Sequence, residues 1–302
     1  MLSKKRLEVT IVVVTRNRMN ALKRCLKSLE RSVYKVSGII VVDNASDDKS
    51  IETVKNHFPK VKLILQKENT GAAEGRNIGA GVSKSELLYF LDDDAYIERN
   101  TIKSAVETIM TDENIAVVQS KVLSSTNPDK ILGIAHDINT TTSLITAWGI
   151  NEIDRGQYSK VMDIPMVGTG WLIRTEVFNL VKGFDKKFFI PYEDSDISLR
   201  IRQRGYRIVF DPGSQIYHDE LKITDINPQI RSIGIASVER ALYVGRNKIY
   251  FMRKHSNGLG RVVFFVILLP LFIVYHCAVI LLSLRFDVLR IYLKGVILGF
   301  RL

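Results

Sequence analysis

The chain has 302 residues, 46% of them hydrophobic and 25% charged, with a net charge of +11. This composition excludes a disordered chain and leaves room for one large domain or two modest ones. The charge is unevenly placed: residues 253–302 hold seven basic side chains against the single acid Asp287. They flank apolar sequence, as expected for contact with anionic lipid headgroups; a nucleic-acid binder spreads its basic residues over a recognition surface. Cys25 and Cys277 have neither a disulfide framework nor metal-ligand spacing, which points to a reducing compartment. The apolar run behind the basic N-terminus, about five residues, is too short for a secretory signal.

Val9 to Val14 is β-branched and predicts a strand. Leu22, Leu26 and Leu29 recur at helical spacing within Asn20 to Arg31. A second strand, Ile39 to Val42, ends at Asp43, and a short helix from Ser50 to His57 stops before Pro59. A third strand spans Val61 to Leu65, a small-residue helix Glu74 to Val82, and a fourth strand Leu87 to Leu91. A helix from Asn100 to Met110 precedes another strand opened by Val117 and Val118. This alternation predicts an α/β fold with a largely parallel sheet.

In such sheets the site lies at the carboxyl ends of the strands. Polar clusters fall there: Thr15-Arg16-Asn17, Asp43-Asn44, and the triplet Asp92-Asp93-Asp94. Three adjacent carboxylates repel one another and call for a cation or a set of donors. Alternation along an extended chain sends Asp92 and Asp94 one way and Asp93 the other. Asn69 to Gly79 is glycine-rich, which would let backbone N–H groups approach an anionic ligand, although it lacks the GxGxxG pattern.

Residues from about Ser125 to Pro165 show little periodicity and read as loops and a variable insertion. Regular pattern resumes at Gly168, and a helix from Ser195 to Arg204 closes at Gly205. Glu193-Asp194 sits just before that helix, where the dipole keeps Asp194 ionised. Val262 to Leu284 is an uncharged stretch of about 23 residues, long enough to cross a bilayer, with Pro270 and His276 as its irregularities. In the tail, Leu289, Leu293 and Val296 could share one face of a helix lying in the membrane interface. Asp287, Arg290 and Lys294 count against a second span.

Six segments occur in a recognisable order: VVVTRNR, VVDNASDD, NTGAAEGRNIG, FLDDDAY, GFDKKFFIPYEDSDISLRIRQRGYRI and YVGRNKIYFMRKH. Together they resemble family 2 glycosyltransferases with a GT-A fold, in particular the rhamnosyltransferase-like branch that builds polysaccharides and lipid-linked glycans. The resemblance covers about Val9 to His218, with an echo at Tyr243 to His255. It implies a mixed, mostly parallel sheet flanked by helices, followed by a C-terminal transmembrane helix. It divides the chain into a catalytic domain at 1–225, with the nucleotide-sugar half ending near 120, an amphipathic connector at 226–261, a span at 262–284 and an interfacial tail at 285–302.

By the same resemblance, Thr15, Arg16 and Asp43 belong to the nucleotide pocket. Arg16 stands where an aromatic residue is usual, so a guanidinium would stack on the base. Arg76, Asp92 and Asp93 would contact the sugar-nucleotide, and Asp94 would bind Mg2+ or Mn2+ with Asp92 and His218 completing the set. Asp194 would be the general base beside Glu193, while Asp196 caps the helix. Gly170, Trp171 and Glu193 would lie at the acceptor, with Trp171 either stacked on a sugar ring or buried in the core. Phe184-Asp185 and Phe188-Phe189 would hinge the loop. One base without a paired nucleophile implies single displacement with inversion.

The expected partners are a nucleotide-diphospho-sugar, a glycan or lipid-linked acceptor and the cell membrane, with the catalytic domain cytoplasmic and no nucleic acid. Two rivals remain at this stage. A sugar nucleotidyltransferase would carry its glycine-rich loop directly after the first strand, where this chain has Thr15-Arg16-Asn17. A non-catalytic membrane scaffold would not need Asp94 and Asp194.

Overall fold

The computed structural model describes residues 6–220 and 226–302; the domain boundary expected at 225 lies outside the described residues. Strands form along apolar runs. These are β1 (Val9–Thr15), β2 (Gly38–Asp43), β3 (Lys62–Leu65) and β4 (Leu87–Asp92); the inner ones are buried and β3 is half-exposed at the sheet edge. Between them lie α1 (Met19–Glu30), α2 (Ser50–His57) and α3 (Gly71–Gly81). After β4 come β5 (Ala95–Ile97), α4 (Thr101–Ile109) and the long β6 (Ile115–Ser124).

The stretch expected to be loops contains four short strands, β7 (Ile131–Gly133), β8 (Ala135–Ile138), β9 (Ile145–Trp148) and β10 (Met162–Asp163). Each is too short to carry a readable period. β11 (Trp171–Arg174), α5 (Thr175–Leu180), α6 (Glu193–Gln203) and β12 (Arg207–His218) follow. α6 begins at Glu193, two residues before the predicted start, so the acidic pair forms its first turn.

The main sheet runs β10-β12-β6-β11-β4-β1-β2-β3. β4, β1, β2 and β3 are mutually parallel, as are β12 and β6; β11 is inserted antiparallel between β4 and β6. Side-chain alternation builds a core on each face. Val9, Ile11 and Val13 of β1 join Leu22, Leu26 and Leu29 of α1. Val12 joins Ala73 and Ala80 of α3, Phe178 of α5, and Ile197 and Ile201 of α6.

Two contact units can be distinguished. The first comprises the described residues to His136, Ala147–Lys186 and Ile197–Glu220, and holds the main sheet. The second comprises Asp137–Thr146, Lys187–Asp196 and the described residues from Ile226 onward. Its helices are α7 (Pro228–Ser232), α8 (Val238–His255), α9 (Gly258–Val263), α10 (Leu269–Leu282) and α11 (Phe286–Gly299).

A π-turn at Phe264–Leu268 joins α9 to α10, just ahead of Pro270, whose ring nitrogen offers no N–H to a regular helical ladder. The continuous helix Gly258–Leu282 has 25 residues, and its most apolar 18-residue stretch has a mean hydropathy of 2.7, long and apolar enough to cross a membrane. α11 also has a face turned to the protein: Val288, Tyr292, Gly295, Val296 and Gly299 are buried, while Leu293 is exposed. The reason is close packing on α8. A Cβ on Gly295 would lie 2.1 Å from the Leu242 carbonyl oxygen, and one on Gly299 2.8 Å from that of Arg246.

Candidate functional site

Register brings three polar strand ends to one edge of the first unit. Thr15 of β1 is level with Asp43 of β2, and Val14 with Asp92 of β4. After the triplet the chain turns into β5, and β12 pairs antiparallel with β5 so that His218 lies opposite Ala95. The amide of Asp219 donates to the Asp94 carbonyl at 3.0 Å. His218, distant in sequence, is thereby delivered to the triplet.

Ligand atoms of Asp92, Asp94 and His218 all lie within 4.8 Å of one another. Nε2 of His218 is 3.2 Å from Asp94 Oδ1 and 3.9 Å from Asp92 Oδ2. Burial draws the His218 imidazole down, but the hydrogen bond and charge of Asp94, with the charge of Asp92, outweigh it and lift the group to about 9. Burial also disfavours charge on Asp92, yet Arg76 and His218 hold its carboxyl below the usual range. Arg76 Nη2 donates to Asp92 Oδ1 at 2.9 Å. Two carboxylates and an imidazole form a hard, oxygen-rich donor set that fits Mg2+ or Mn2+.

Asp93 points elsewhere. It is buried, and Thr15 Oγ1 donates to its Oδ2 at 2.7 Å. Burial raises its carboxyl to about 7; the charges of Asp94 and Asp92 add to the rise, against Arg18 and the Thr15 hydroxyl. Arg18, which the sequence did not single out, donates to Asp94 Oδ2 and lies 3.5 Å from Asp93 Oδ1. It supplies the countercharge that three adjacent acids need. An exposed arginine has no signature in one sequence to set it apart; its place in VVVTRNR was the only hint.

Asp43 is buried at the end of β2. Its Oδ2 accepts from the Ser46 amide at 2.9 Å, while Oδ1 is buried without a hydrogen-bond partner among the described residues. An unmatched buried acceptor fits a donor group on a ligand, such as a nucleobase N–H. Arg16 is exposed beside it at the end of β1. Asn44 ties this edge to α3: its Nδ2 donates to the Gly71 carbonyl, and its Oδ1 accepts from Thr70 Oγ1, both at 3.0 Å.

Two of the glycines of α3, Gly75 and Gly79, serve packing, which corrects for them the expectation that they open the backbone to a ligand. A Cβ on Gly75 would come within 2.8 Å of Val14 Cγ1, and one on Gly79 within 2.4 Å of Val12 Cγ1. They let α3 lie directly on β1, and that closeness puts Arg76 within reach of Asp92.

Trp171 is a core residue. It is 1% exposed and packs against Phe90 at 4.9 Å and Phe184 at 5.9 Å, so no ring face is left for a sugar. Gly170 has a φ of 72°, and a Cβ there would meet Ile216 Cδ1 at 2.3 Å. Buried Gln119 holds this stretch, donating to the Thr169 carbonyl and accepting from the Gly168 amide, each at 2.8 Å.

Within the second unit, Glu193 is buried and Asp194 half-buried in the first turn of α6. Asp196 is not the expected cap. It is fully buried, with Lys254 Nζ and His255 Nε2 each 2.7 Å from its Oδ1. Of the expected hinge residues, Phe184 and Phe188 are each held in place. The Phe184 backbone is gripped by Asn77 through both its N–H and its carbonyl at 2.9 Å, and Phe188 is fully buried against Tyr250.

A family model for glycosyl transferase family 2 matches residues 10–180. An uncharacterised glycosyltransferase of Haemophilus influenzae is 27% identical over 195 residues, or 65% of this chain, and the chain spans 62% of that relative's length. The dTDP-rhamnosyl transferase RfbF of Shigella flexneri is 28% identical over 262 residues, covering 82% of this chain and 81% of the relative. The fold superposes on the mannosyltransferase PcManGT of Pyrobaculum calidifontis, solved with GDP-Man and Mn2+. The TM-score is 0.59 at 17% identity, over 98% of this chain and 81% of the other.

Proposed function

The chain belongs to glycosyl transferase family 2, and we propose that it moves a sugar from a nucleotide-diphosphate donor to a hydroxyl of a glycan acceptor with inversion. The observation that carries this reading is the convergence of Asp92, Asp94 and His218, with ligand atoms within 4.8 Å, at the carboxyl edge of a parallel sheet. Those three residues would hold Mg2+ or Mn2+. When bound, such an ion would supply positive charge to offset the charge developing on the diphosphate as it leaves.

The chain's own residues do the rest. The unmatched Oδ1 of Asp43 accepts from the base, and Arg76 orients Asp92 toward the donor. Arg18 exchanges its contact with Asp94 for the incoming diphosphate. Asp194, in the first turn of α6, takes the proton from the acceptor hydroxyl as its oxygen attacks the anomeric carbon. Glu193 lies beside it at the acceptor. The helix Gly258–Leu282 anchors the protein in the cell membrane as a single span, with the catalytic residues on the cytosolic side where nucleotide sugars are made. An anchor beside basic residues suits a lipid-linked or polysaccharide acceptor and anionic headgroups.

The test is titration calorimetry of the detergent-solubilised protein with nucleoside diphosphates, with and without Mn2+. Binding that depends on the ion and falls at least tenfold in Asp94→Ala is expected. Ion-independent binding unchanged by that substitution would remove the reading. A donor screen reading released nucleoside diphosphate then identifies the base and sugar.

A further inference from the structure

The side chains of the motif Tyr243–His255 converge on one stretch of backbone in their own unit. Asn247 is fully buried, and its Nδ2 donates to the carbonyl oxygens of Phe188 and Pro191 at 2.6 and 2.8 Å. Arg246 Nη2 donates to the Phe188 carbonyl at 3.0 Å and also to that of Lys187. Eight residues further along α8, His255 and Lys254 meet the buried Asp196. Aromatic rings fill the space between. Phe189 stacks on Tyr243 at 4.4 Å and 4°, and Tyr192 packs on Phe251 at 5.2 Å.

This is more than a surface loop requires. The Asn247 amide spends both N–H groups on carbonyls, and a buried carboxylate such as Asp196 is costly unless paired. The loop would not hold its own shape, because Phe189 and Tyr192 have φ of 61° and 85°, values that side-chain-bearing residues avoid. Its surroundings impose them. Between the two grips, Pro191 and Asp196, lie only Tyr192, Glu193, Asp194 and Ser195.

We propose that α8 is a positioning clamp for the Glu193-Asp194 pair. Arg246 and Asn247 fix the backbone before the pair, and Lys254 and His255 fix the helical turn after it. These are positioning residues that set where the Asp194 carboxylate stands; they do not touch substrate. The inference rests on the reading of Asp194 as the base. A displacement of about 1 Å in a reacting group can cost on the order of a hundredfold in rate, so loosening one grip should be felt in turnover before it is felt in donor binding.

The experiment compares three variants of the full chain in detergent. His255→Phe keeps the ring that packs on Phe251 and loses the hydrogen bond. His255→Gln keeps a donor for Asp196 and loses the ring. The double variant K254M/H255F removes the Lys254 and His255 contacts with Asp196. The double variant should lose roughly ten- to a hundredfold in kcat. Its donor KM and its Mn2+-dependent nucleoside-diphosphate binding should stay within about twofold. His255→Gln should recover most of the kcat lost in His255→Phe.

Wild-type kcat in the double variant overturns the clamp. So does an equal fall of kcat, donor affinity and melting temperature in His255→Phe and His255→Gln, which marks general packing. Asp194→Asn, run alongside, separates the two claims: if it still turns over, the base is misassigned, and if it is inactive while the double variant is unimpaired, only the clamp fails. Should the substitutions not fold, amide exchange in the unaltered protein decides. Residues 187–196 should be protected like the centre of α8, and much faster exchange there overturns the proposal.

Discussion

Replacing Gly79 with Ala tests how the donor edge is built. A Cβ there would sit 2.4 Å from Val12 Cγ1 and 3.3 Å from Val42 Cγ2. Ordinary carbon contacts fall at about 3.5–4.0 Å, so α3 would have to lift from β1 by roughly 1 Å. Val12 cannot yield, since it is buried in a strand paired on one side with β2 and on the other with β4. Overpacking of this kind costs about 1–3 kcal/mol, and Gly→Ala in a helix returns up to about 1 kcal/mol. Gly81→Ala is the control, because a Cβ at Gly81 meets nothing within 4 Å. Comparing the two variants cancels the helix gain and leaves the overpacking alone. At about 2–4 °C per kcal/mol for a unit of this size, Gly79→Ala should melt roughly 2–12 °C below Gly81→Ala. Intrinsic fluorescence of buried Trp171 in the detergent-solubilised chain reports the transition. The lift would also lengthen the 2.9 Å Arg76–Asp92 contact, so Mn2+-dependent nucleotide binding should weaken in Gly79→Ala alone. Two variants that melt together would refute the packing argument.

Arg18→Ala removes the cation that lies on Asp94 and 3.5 Å from Asp93; Mn2+ without nucleotide should then bind up to about tenfold tighter, about 1.4 kcal/mol, by the electron paramagnetic resonance of free Mn2+, and weaker binding would contradict the competition. Burial draws Lys248 from 10.5 down to about 8. Between those values the unfolded chain binds the extra proton, so stability rises with pH across that window; Lys248→Met should flatten the rise in urea midpoints, and an unchanged slope would count against it. Gly295→Leu forces α11 off the Leu242 carbonyl, which lies 2.1 Å from the ideal Cβ; amide exchange in α11 should accelerate at least tenfold, and unaltered protection would show that the helices do not pack there.

The parallel half was legible because β-branched runs such as Val9–Val14 and Ile39–Val42 alternate with helical spacing, and because strand ends in such a sheet share an edge. The triplet stood out for its charge. What stayed hidden depends on distant partners. Asp196 looked like a cap because its partners Lys254 and His255 lie 58 and 59 residues away. Gly75 and Gly79 looked like ligand-binding glycines because only the fold shows that they face valines of β1. The open alternatives for Trp171 were decided by its neighbours Phe90 and Phe184, and the strands between Ile131 and Asp163 are too short to carry a period. The tail helix has two apolar faces, and the glycines that seat one of them on α8 lie outside any hydrophobic pattern.

The central claim is a division of labour, in which Asp92, Asp94 and His218 hold the donor's diphosphate end and Asp194 activates the acceptor. Asp194→Asn, assayed for both sugar transfer and metal-dependent donor binding, tests it most directly. The account predicts that transfer falls by about a hundredfold or more, the range of general-base contributions, while donor affinity stays within about threefold. Transfer that survives the substitution, or donor binding lost along with it, would contradict the account.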